Sequence, residues 1–492
     1  MKYISTRGQD KEGVSSAYAI KTGLASDKGL YMPDRIPSLS MEEIENLMEK
    51  SYPERAAAIL AKYLSDYSYE ELLEDAEAAY ERFYDFPAKI TDMKDGTYML
   101  ELWHGPTSAF KDMALQIMPR LFVRALRKCG EERTALILVA TSGDTGKAAL
   151  EGYRDVDGTM VKVFYPIDGV SRVQKLQMQT QEGKNVSVTG IIGNFDDAQS
   201  GVKEIFANEE YANELNEYGV FLSSANSINW GRLAPQIAYY VSAYCDMIKA
   251  GAIKLGDEID VCVPTGNFGN IFACYLAKLM GLPVNKLICA SNKNDVLTEF
   301  LTTGVYDKNR LFHTTMSPSM DILISSNLER LLYVTLGTEK TAQYMEELAR
   351  TGKYKLASED FAKICCDFIG YSTDEGETAR TIKRAYESKN CLIDPHTAVA
   401  YSATERYMTD NKAERRILTV STASAYKFAA DVYTSLTGKR PDDELLALSK
   451  LEELTGEPIP VPLRELGDKK AIHTSVISKT EMKDAVSAFA KD

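Results

Sequence analysis

The stretch "HGPTSAFKDMALQ", residues 104–116, places a lysine where a helix is expected to begin. Ser108 has the chemistry of an N-cap. Phe110, Met113, Ala114, Ile117 and Leu121 then fall on one helical face until Gly130 closes the run. Lys111 is thereby expected at the third helical position. The helix dipole disfavours a cation there by ~0.3–1 kcal/mol at an exposed site, so the neutral amine is easier to reach. A lysine with a depressed pKa is a nucleophile suited to capturing an aldehyde. Taken alone, a first-turn lysine is most simply a solvated surface residue. Its setting argues for more: Asp112 follows it, and the polar turn His104-Gly105-Pro106 precedes it, a local breach of helix rules that tends to mark functional sites.

A second group of residues suits an anion. "PTGNFGN", Pro264 to Asn270, follows the strand-like "DVCVP" and opens a helix. Gly266 and Gly269 let the backbone turn tightly and present N–H groups, and the helix N-terminus adds partial positive charge. The pattern is neither a Walker A sequence nor a GxGxxG fingerprint, so ATP and dinucleotides match poorly. An ordinary tight turn is the plain alternative. "TSGDTGKAA", from Thr141, is another such loop; Thr141, Ser142, Gly143, Asp144 and Thr145 could hold a small carboxylate or phosphate. "GNFDDAQ", residues 193–199, imitates the glycine turn, but Asp196 and Asp197 oppose phosphate, and it reads as a helix start. "TVSTASAYKF" puts Ser421, Thr422 and Ser424 at a further strand end, as caps or as hydroxyls facing a ring nitrogen. "SINWGR" and "GVSRVQK" supply Arg232, Arg172 and Lys175 as candidate anion ligands, exposed helix charges being the default.

These residues need a frame to bring them together. From about residue 100, short β-branched runs alternate with polar turns and helical stretches: "TALILVAT", "MVKVFYP", "NVSVTGI", "DVCVP", "KLICAS" and "RILTVST" are each followed by a helix. Near-continuous apolar strands separated by helices imply parallel sheet covered on both faces, whose ligands bind at the carboxyl ends of the strands. The first hundred residues differ: capping boxes at Ser40/Glu43 and Ser68/Glu71 mark an acidic helical region ending near Pro87. Residues 300–390 read as mostly helical. The last fifty hold a turn-like "IPVPL" and a capped helix from Ser478 to about Ala490.

The chain has 492 residues, roughly three domains' worth. A net charge of −14 argues against nucleic-acid binding, so an anionic substrate must be captured by local cations and helix ends. No secretory h-region and no apolar run near ~18 residues is present, so no membrane span is expected. Eight cysteines without a CxxC pair read as free thiols of a cytoplasmic protein, and four scattered histidines suggest no zinc site.

One aldehyde-capturing lysine, one phosphate cradle and one ring-facing hydroxyl together suit pyridoxal 5'-phosphate. At these points the chain resembles the threonine synthase family of fold-type-II pyridoxal-phosphate enzymes. "HGPTSAFKDMALQ", "ATSGDTGKAA", "SINWGR", "PTGNFGNIFACYLAK", "SPSMDILISSNLERLL" and "DPHTAVAY" look like that family's motifs, as do "STRG" and "GLASDKGLYMP" near the N-terminus. The match runs in order over most of the chain. One departure is "STASAYKF", where the family often has a "TA-HP-AKF" type of segment; Thr422 survives it.

The resemblance implies an α/β fold of two parallel-sheet domains plus a helical N-terminal extension. The expected segments are 1–98, helical N-terminal domain; 99–130 with 225–300 and 385–440, large cofactor-binding α/β domain; 131–224, small α/β domain; 301–384, mostly helical insertion; and 441–492, C-terminal tail. It implies Lys111 as the Schiff-base residue, Gly266, Asn267, Phe268, Gly269 and Asn270 as the cofactor-phosphate loop, and Thr422 as the partner of the pyridine nitrogen. The implied reaction is γ-elimination and β-hydration of O-phospho-L-homoserine to L-threonine and phosphate, by a monomer or homodimer acting on a small anionic amino acid. The 141–145 loop would hold the substrate carboxylate, and Arg172, Lys175 or Arg232 its phosphate. A serine/threonine dehydratase or β-replacing synthase on the same fold is the enzymatic alternative, and an anion-binding scaffold without chemistry the other. His104, Asp394 and His396 fit either the site or turn-forming roles.

Overall fold

The structure, a computed structural model, describes residues 1–8, 12–168 and 170–491. Gly169, the first residue of "GVSRVQK", lies outside the described residues.

Two sheets carry the fold. The larger has six strands in the spatial order Phe368–Ser372, Val284–Ser291, Ile259–Pro264, Ile417–Ser421, Thr97–Glu101, Lys89–Asp92. All pairings are parallel except the last, where Lys89–Asp92 runs antiparallel to its neighbour. The smaller has five parallel strands in the order Val476–Ser478, Val186–Ile192, Thr159–Pro166, Thr134–Ala140, Val220–Ser223. The apolar runs form strands because both of their faces are covered. In the larger sheet Val261 and Val263 join the main core, while Cys262 between them joins a second cluster with Ala400 and Tyr407 on the opposite face. In the smaller, Ala135, Ile137 and Val139 face the main core, and Leu136 and Leu138 face the helix Phe195–Ala207 and the C-terminal helix Met482–Lys491. Period-two alternation thus splits one apolar run between two cores.

The N-terminal region contains the helices Met41–Met48, Tyr52–Tyr63 and Tyr69–Tyr80, opened by capping boxes at Ser40/Glu43, Ser51/Glu54 and Ser68/Glu71. Arg55 anchors it: the guanidinium is buried and donates to Asp246 Oδ1 and Ser242 Oγ at 2.8 and 2.9 Å. Within the segment expected to be helical, Lys89–Asp92 forms the edge of the larger sheet, because its hydrogen bonds go to Thr97–Glu101 rather than to a helix. From the opposite end of the chain, the short strand Val476–Ser478 extends the smaller sheet, a pairing that three residues of local pattern do not announce.

Candidate active site

The segment bearing Lys111 is stitched to the exit of the strand Ile417–Ser421. Phe110 N–H donates to Thr422 O at 2.8 Å, Ser424 N–H donates to Ser108 O at 3.1 Å, and Ala109 and Ala423 form an antiparallel bridge. This pairing corrects the expectation for Ser108. With its carbonyl committed to Ser424 and φ at +57°, it is a left-handed turn residue and not an N-cap. The helix is also interrupted: Asp112–Leu115 is followed by a separate helix, Met118–Lys128, beyond which Gly130 turns the chain at φ +63°. Lys111 accordingly stands at the N-cap position of a four-residue helix, not at the third position of a long one.

A four-residue helix supplies little field, and burial does the work instead. Lys111 is 9% exposed. Burial pushes its amine down to about 8; Asp144 opposes the shift, and the cations Arg232 and Lys427 reinforce it. The Nζ lies 3.4 Å from Ser319 Oγ and 4.7 Å from the centre of the Phe110 ring. Asp112 fixes the preceding turn by accepting from Thr107 N, Thr107 Oγ1 and Gln116 Nε2 at 2.8, 2.8 and 3.0 Å. Gly105 is required there, since a Cβ would come within 2.6 Å of Asp112.

The 141–146 loop opens the helix Asp144–Tyr153 at the carboxyl end of Thr134–Ala140. Thr141 Oγ1 accepts from Gly143 N and Gly146 N at 3.0 and 2.9 Å and so shapes the loop, with Ser142 and Thr145 half-buried along it. Asp144 is turned inward. Its Oδ1 accepts from Lys427 Nζ and Gln174 Nε2, both at 2.8 Å, and its Oδ2 lies 3.4 Å from Ser319 Oγ. Burial alone would raise this carboxyl; Lys427, then Lys111, outweigh burial and hold it far below the carboxylate range. Arg232 is buried beside the loop, donating to Ala225 O at 2.7 Å and reaching Thr145 Oγ1 at 3.5 Å. Burial lowers it to about 10, and among the described residues it has no carboxylate partner. Arg172 and Lys175 are placed otherwise. Arg172 is exposed and paired with Asp443, and Lys175 is half-buried on the same helix, Arg172–Gln179.

The glycine turn faces Lys111 across Ser319. Ile259–Pro264 runs into Thr265-Gly266-Asn267-Phe268, and the helix Gly269–Met280 starts without a side-chain cap behind Phe268 at φ +63°. A Cβ on Gly266 would meet Ser319 O at 2.8 Å, so the cradle is packed directly under the residue that touches the lysine. Gly266 O accepts from Ser325 Oγ at 2.7 Å, and Asn267 O accepts from Asn327 N and Nδ2 at 3.1 and 3.0 Å. These bonds tie down the turn's carbonyls. The N–H groups of Asn267 and Phe268 donate to no acceptor among the described residues. The Asn270 carboxamide oxygen takes hydroxyl hydrogens from Tyr239 and from Tyr240 (2.6 Å for the latter), while among the described residues its buried Nδ2 has no partner. Free donors on a turn whose acceptors are already satisfied fit a phosphate group. Behind the turn, Thr6 and Arg7 of "STRG" bind Glu329, adjoining the Asn327 that holds Asn267.

Thr422 is buried, and its N–H donates to Thr397 Oγ1 at 3.3 Å. Asp394 caps the helix Pro395–Asn411 and accepts from His396 Nδ1 at 2.6 Å. His396 Nε2 accepts from Ser319 N–H at 3.1 Å, so the imidazole is the Nδ1–H tautomer and holds the Ser319 backbone in place. His104 instead pairs with Glu101 Oε2 at 2.8 Å and packs at a tilt against the Trp103 ring, centroids 4.2 Å apart. Ser319, Lys427 and Gln174 escaped the reading of isolated loops. Only the recurrence of "SPSM" as a family motif marked Ser319.

Comparison with known proteins matches this geometry. A family described as "Pyridoxal-phosphate dependent enzyme" matches residues 93–423, and one described as "Threonine synthase N terminus" matches residues 2–80. The two parallel sheets, with the family match over residues 93–423, define a fold-type-II pyridoxal-phosphate-dependent enzyme. Within that class the chain belongs to the threonine synthase family. It is 38% identical to "Threonine synthase" of Pseudomonas aeruginosa over 90% of this chain and 92% of that protein. The crystal structure of "PLP bound Threonine synthase from Brucella melitensis" superposes with a TM-score of 0.88 at 34% identity, covering 100% of both chains. "Threonine synthase-like 1" of Pongo abelii is 41% identical over 88% of this chain, and the chain spans 60% of that relative's length.

Proposed function

We propose that this chain converts O-phospho-L-homoserine and water to L-threonine and phosphate, with pyridoxal 5'-phosphate as cofactor. The observation that carries the reading is Ser319, whose hydroxyl meets the Lys111 amine while its carbonyl packs on Gly266, so that one residue links the amine to the glycine turn. In this reading Gly266, Asn267, Phe268, Gly269 and Asn270 hold the cofactor phosphate, Lys111 its aldehyde carbon and Thr422 its ring nitrogen. Bound there, the cofactor supplies an electron sink that acidifies the substrate's C–H bonds.

The chain's own groups do the rest. Lys111 Nζ, neutral in part at pH 7 because its pKa is about 8, takes the α-proton and returns protons along the carbon chain. Ser319 Oγ sits between this amine and Asp144 and orients the amine's lone pair. Ser142 and Thr145 hold the substrate carboxylate on the loop that Thr141 shapes by accepting from Gly143 N and Gly146 N, with Asp144 neutralised by Lys427. Of the cations considered, Arg232 is assigned to the substrate phosphate, because a buried guanidinium without a carboxylate partner awaits an anion. The enzyme is assigned to the cytoplasm, as monomer or homodimer. The eight cysteines are free, and among the described residues no helix is long and apolar enough to cross a membrane.

The test sets phosphate release from O-phospho-L-homoserine against ammonia release from L-threonine by the holoenzyme. Phosphate with L-threonine as co-product is expected. Ammonia without phosphate assigns a dehydratase instead, and a colourless, inert protein an anion-binding scaffold.

A further inference from the structure

Another buried lysine lies in the smaller sheet, apart from Lys111 and Lys427. Lys162 sits in the strand Thr159–Pro166, on the face that Leu136, Leu138 and Phe164 make apolar, and is 5% exposed. Its cross-strand neighbour is Ser187, whose Oγ accepts from Nζ at 2.8 Å. The Nζ is 5.7 Å from the Phe164 ring centre and 5.7 Å from that of Phe489, on the C-terminal helix. Among the described residues no carboxylate pairs with it, and burial lowers its pKa to about 8. A buried ammonium with no counter-charge is strongly unfavourable.

This lysine lines a cleft of about 500 Å³ between the sheet and the C-terminal tail. Its polar wall includes Ser187, Thr189, His473 and Ser475; Ala488 and Phe489 belong to its apolar wall. Among the described residues no aspartate or glutamate lines it. His473 Nε2–H donates to Gln181 O at 2.9 Å, which leaves Nδ1 free to take a proton. Burial, with the charge of Lys162 adding to it, keeps that imidazole below its usual pKa, so the cleft holds positive charge only against resistance. A zwitterionic amino acid would bring its own ammonium into this wall with no carboxylate to receive it. The volume exceeds what a bare inorganic ion fills and lies in the range of small-molecule sites.

We infer that this cleft is a binding site for a small organic oxyanion, a phosphate or carboxylate on an apolar body, with Lys162 as counter-ion and Phe489 as the wall against that body. The site goes beyond the proposed reaction and does not depend on it. It adjoins the catalytic loop through the tail: Ile472 N and His473 N donate to Gln179 O at 2.8 and 3.0 Å, at the end of the helix whose Gln174 holds Asp144.

The test uses the holoenzyme and two probes, phenyl phosphate and benzoate, which separate the two kinds of head group. Imidazole ¹H–¹⁵N signals of the histidines are followed during each titration. A saturable shift of His473 with at least one probe is expected, weakened tenfold or more in Lys162→Met. Ala488→Trp leaves the lysine in place and fills the cleft from an exposed helix position, and it is expected to weaken binding equally. It decides the matter by itself should Lys162→Met not fold. His473 signals that ignore both probes, that move alone with His396 at the catalytic site's affinity, or that respond unchanged in the variants overturn the assignment.

Discussion

Two stretches of this chain begin with the same three residues and end in opposite chemistry. Gly193-Asn194-Phe195 and Gly266-Asn267-Phe268 both follow a parallel strand and both open a helix. In the first, the Asn194 side chain accepts from Asp197 N at 3.0 Å and the Asp197 carboxylate accepts from Asn194 N at 2.9 Å, a reciprocal box that satisfies the helix end internally. In the second, no side chain caps the helix, Phe268 takes a left-handed conformation, and neighbouring side chains occupy the turn's carbonyls while donors stay free. A helix N-terminus has donors to offer an anion only where its own cap is withheld. The two residues after the shared triplet, Asp-Asp against Gly-Asn, make that difference.

The comparison can be broken in several ways. Lys111→Ala is expected to lower turnover by roughly 10³–10⁴-fold while leaving cofactor held non-covalently through the cradle; its absorbance should change from that of the lysine adduct to that of the free aldehyde. Loss of all cofactor would mean that the turn does not bind phosphate by itself. Grafting the capped form onto the cradle, Gly269→Asp with Asn270→Asp, sets two carboxylates against a phosphate and should weaken cofactor binding roughly 10²–10³-fold, read by equilibrium dialysis. Gly266→Ala drives a methyl against Ser319 O and should cost about tenfold in the same measurement.

The pH dependence sharpens the role of burial. The protonated amine is inert toward an aldehyde and the neutral amine reactive, so cofactor capture by the apoprotein should rise about tenfold per pH unit and level off above about 8. Asp144→Asn removes the carboxylate that favours the ammonium form, so the midpoint should move to lower pH. An upward move would remove Asp144 from the electrostatics of the lysine. The smallest effect belongs to the capped stretch: Asn194→Ala should destabilise the fold by about 1 kcal/mol in a denaturant titration and leave cofactor affinity unchanged.

Much of the frame was legible before folding. Strands such as Thr134–Ala140 and Ile259–Pro264 lie within a residue or two of the apolar runs that announce them, because doubly covered parallel strands have a plain local signature. The decoy at Asn194 was legible for the same reason: capping is local chemistry. What failed was the helix around Lys111, where periodicity pointed to a continuous helix from Ser108. The backbone of Ser108–Phe110 pairs with Thr422–Ser424 instead, a partner some three hundred residues distant that no window of sequence contains.

From its residues alone this chain determined the alternation of strand, turn and helix, the lysine, the glycine turn and the hydroxyl cluster at strand ends. All of these depend on interactions within a few residues or on motifs that recur intact. Only the tertiary structure decided why the amine is depressed and what surrounds it. Ser319, Lys427, Gln174, His396 and Arg232 come from five separate segments, and burial with Coulomb interaction depends on distance in space, which sequence spacing does not carry.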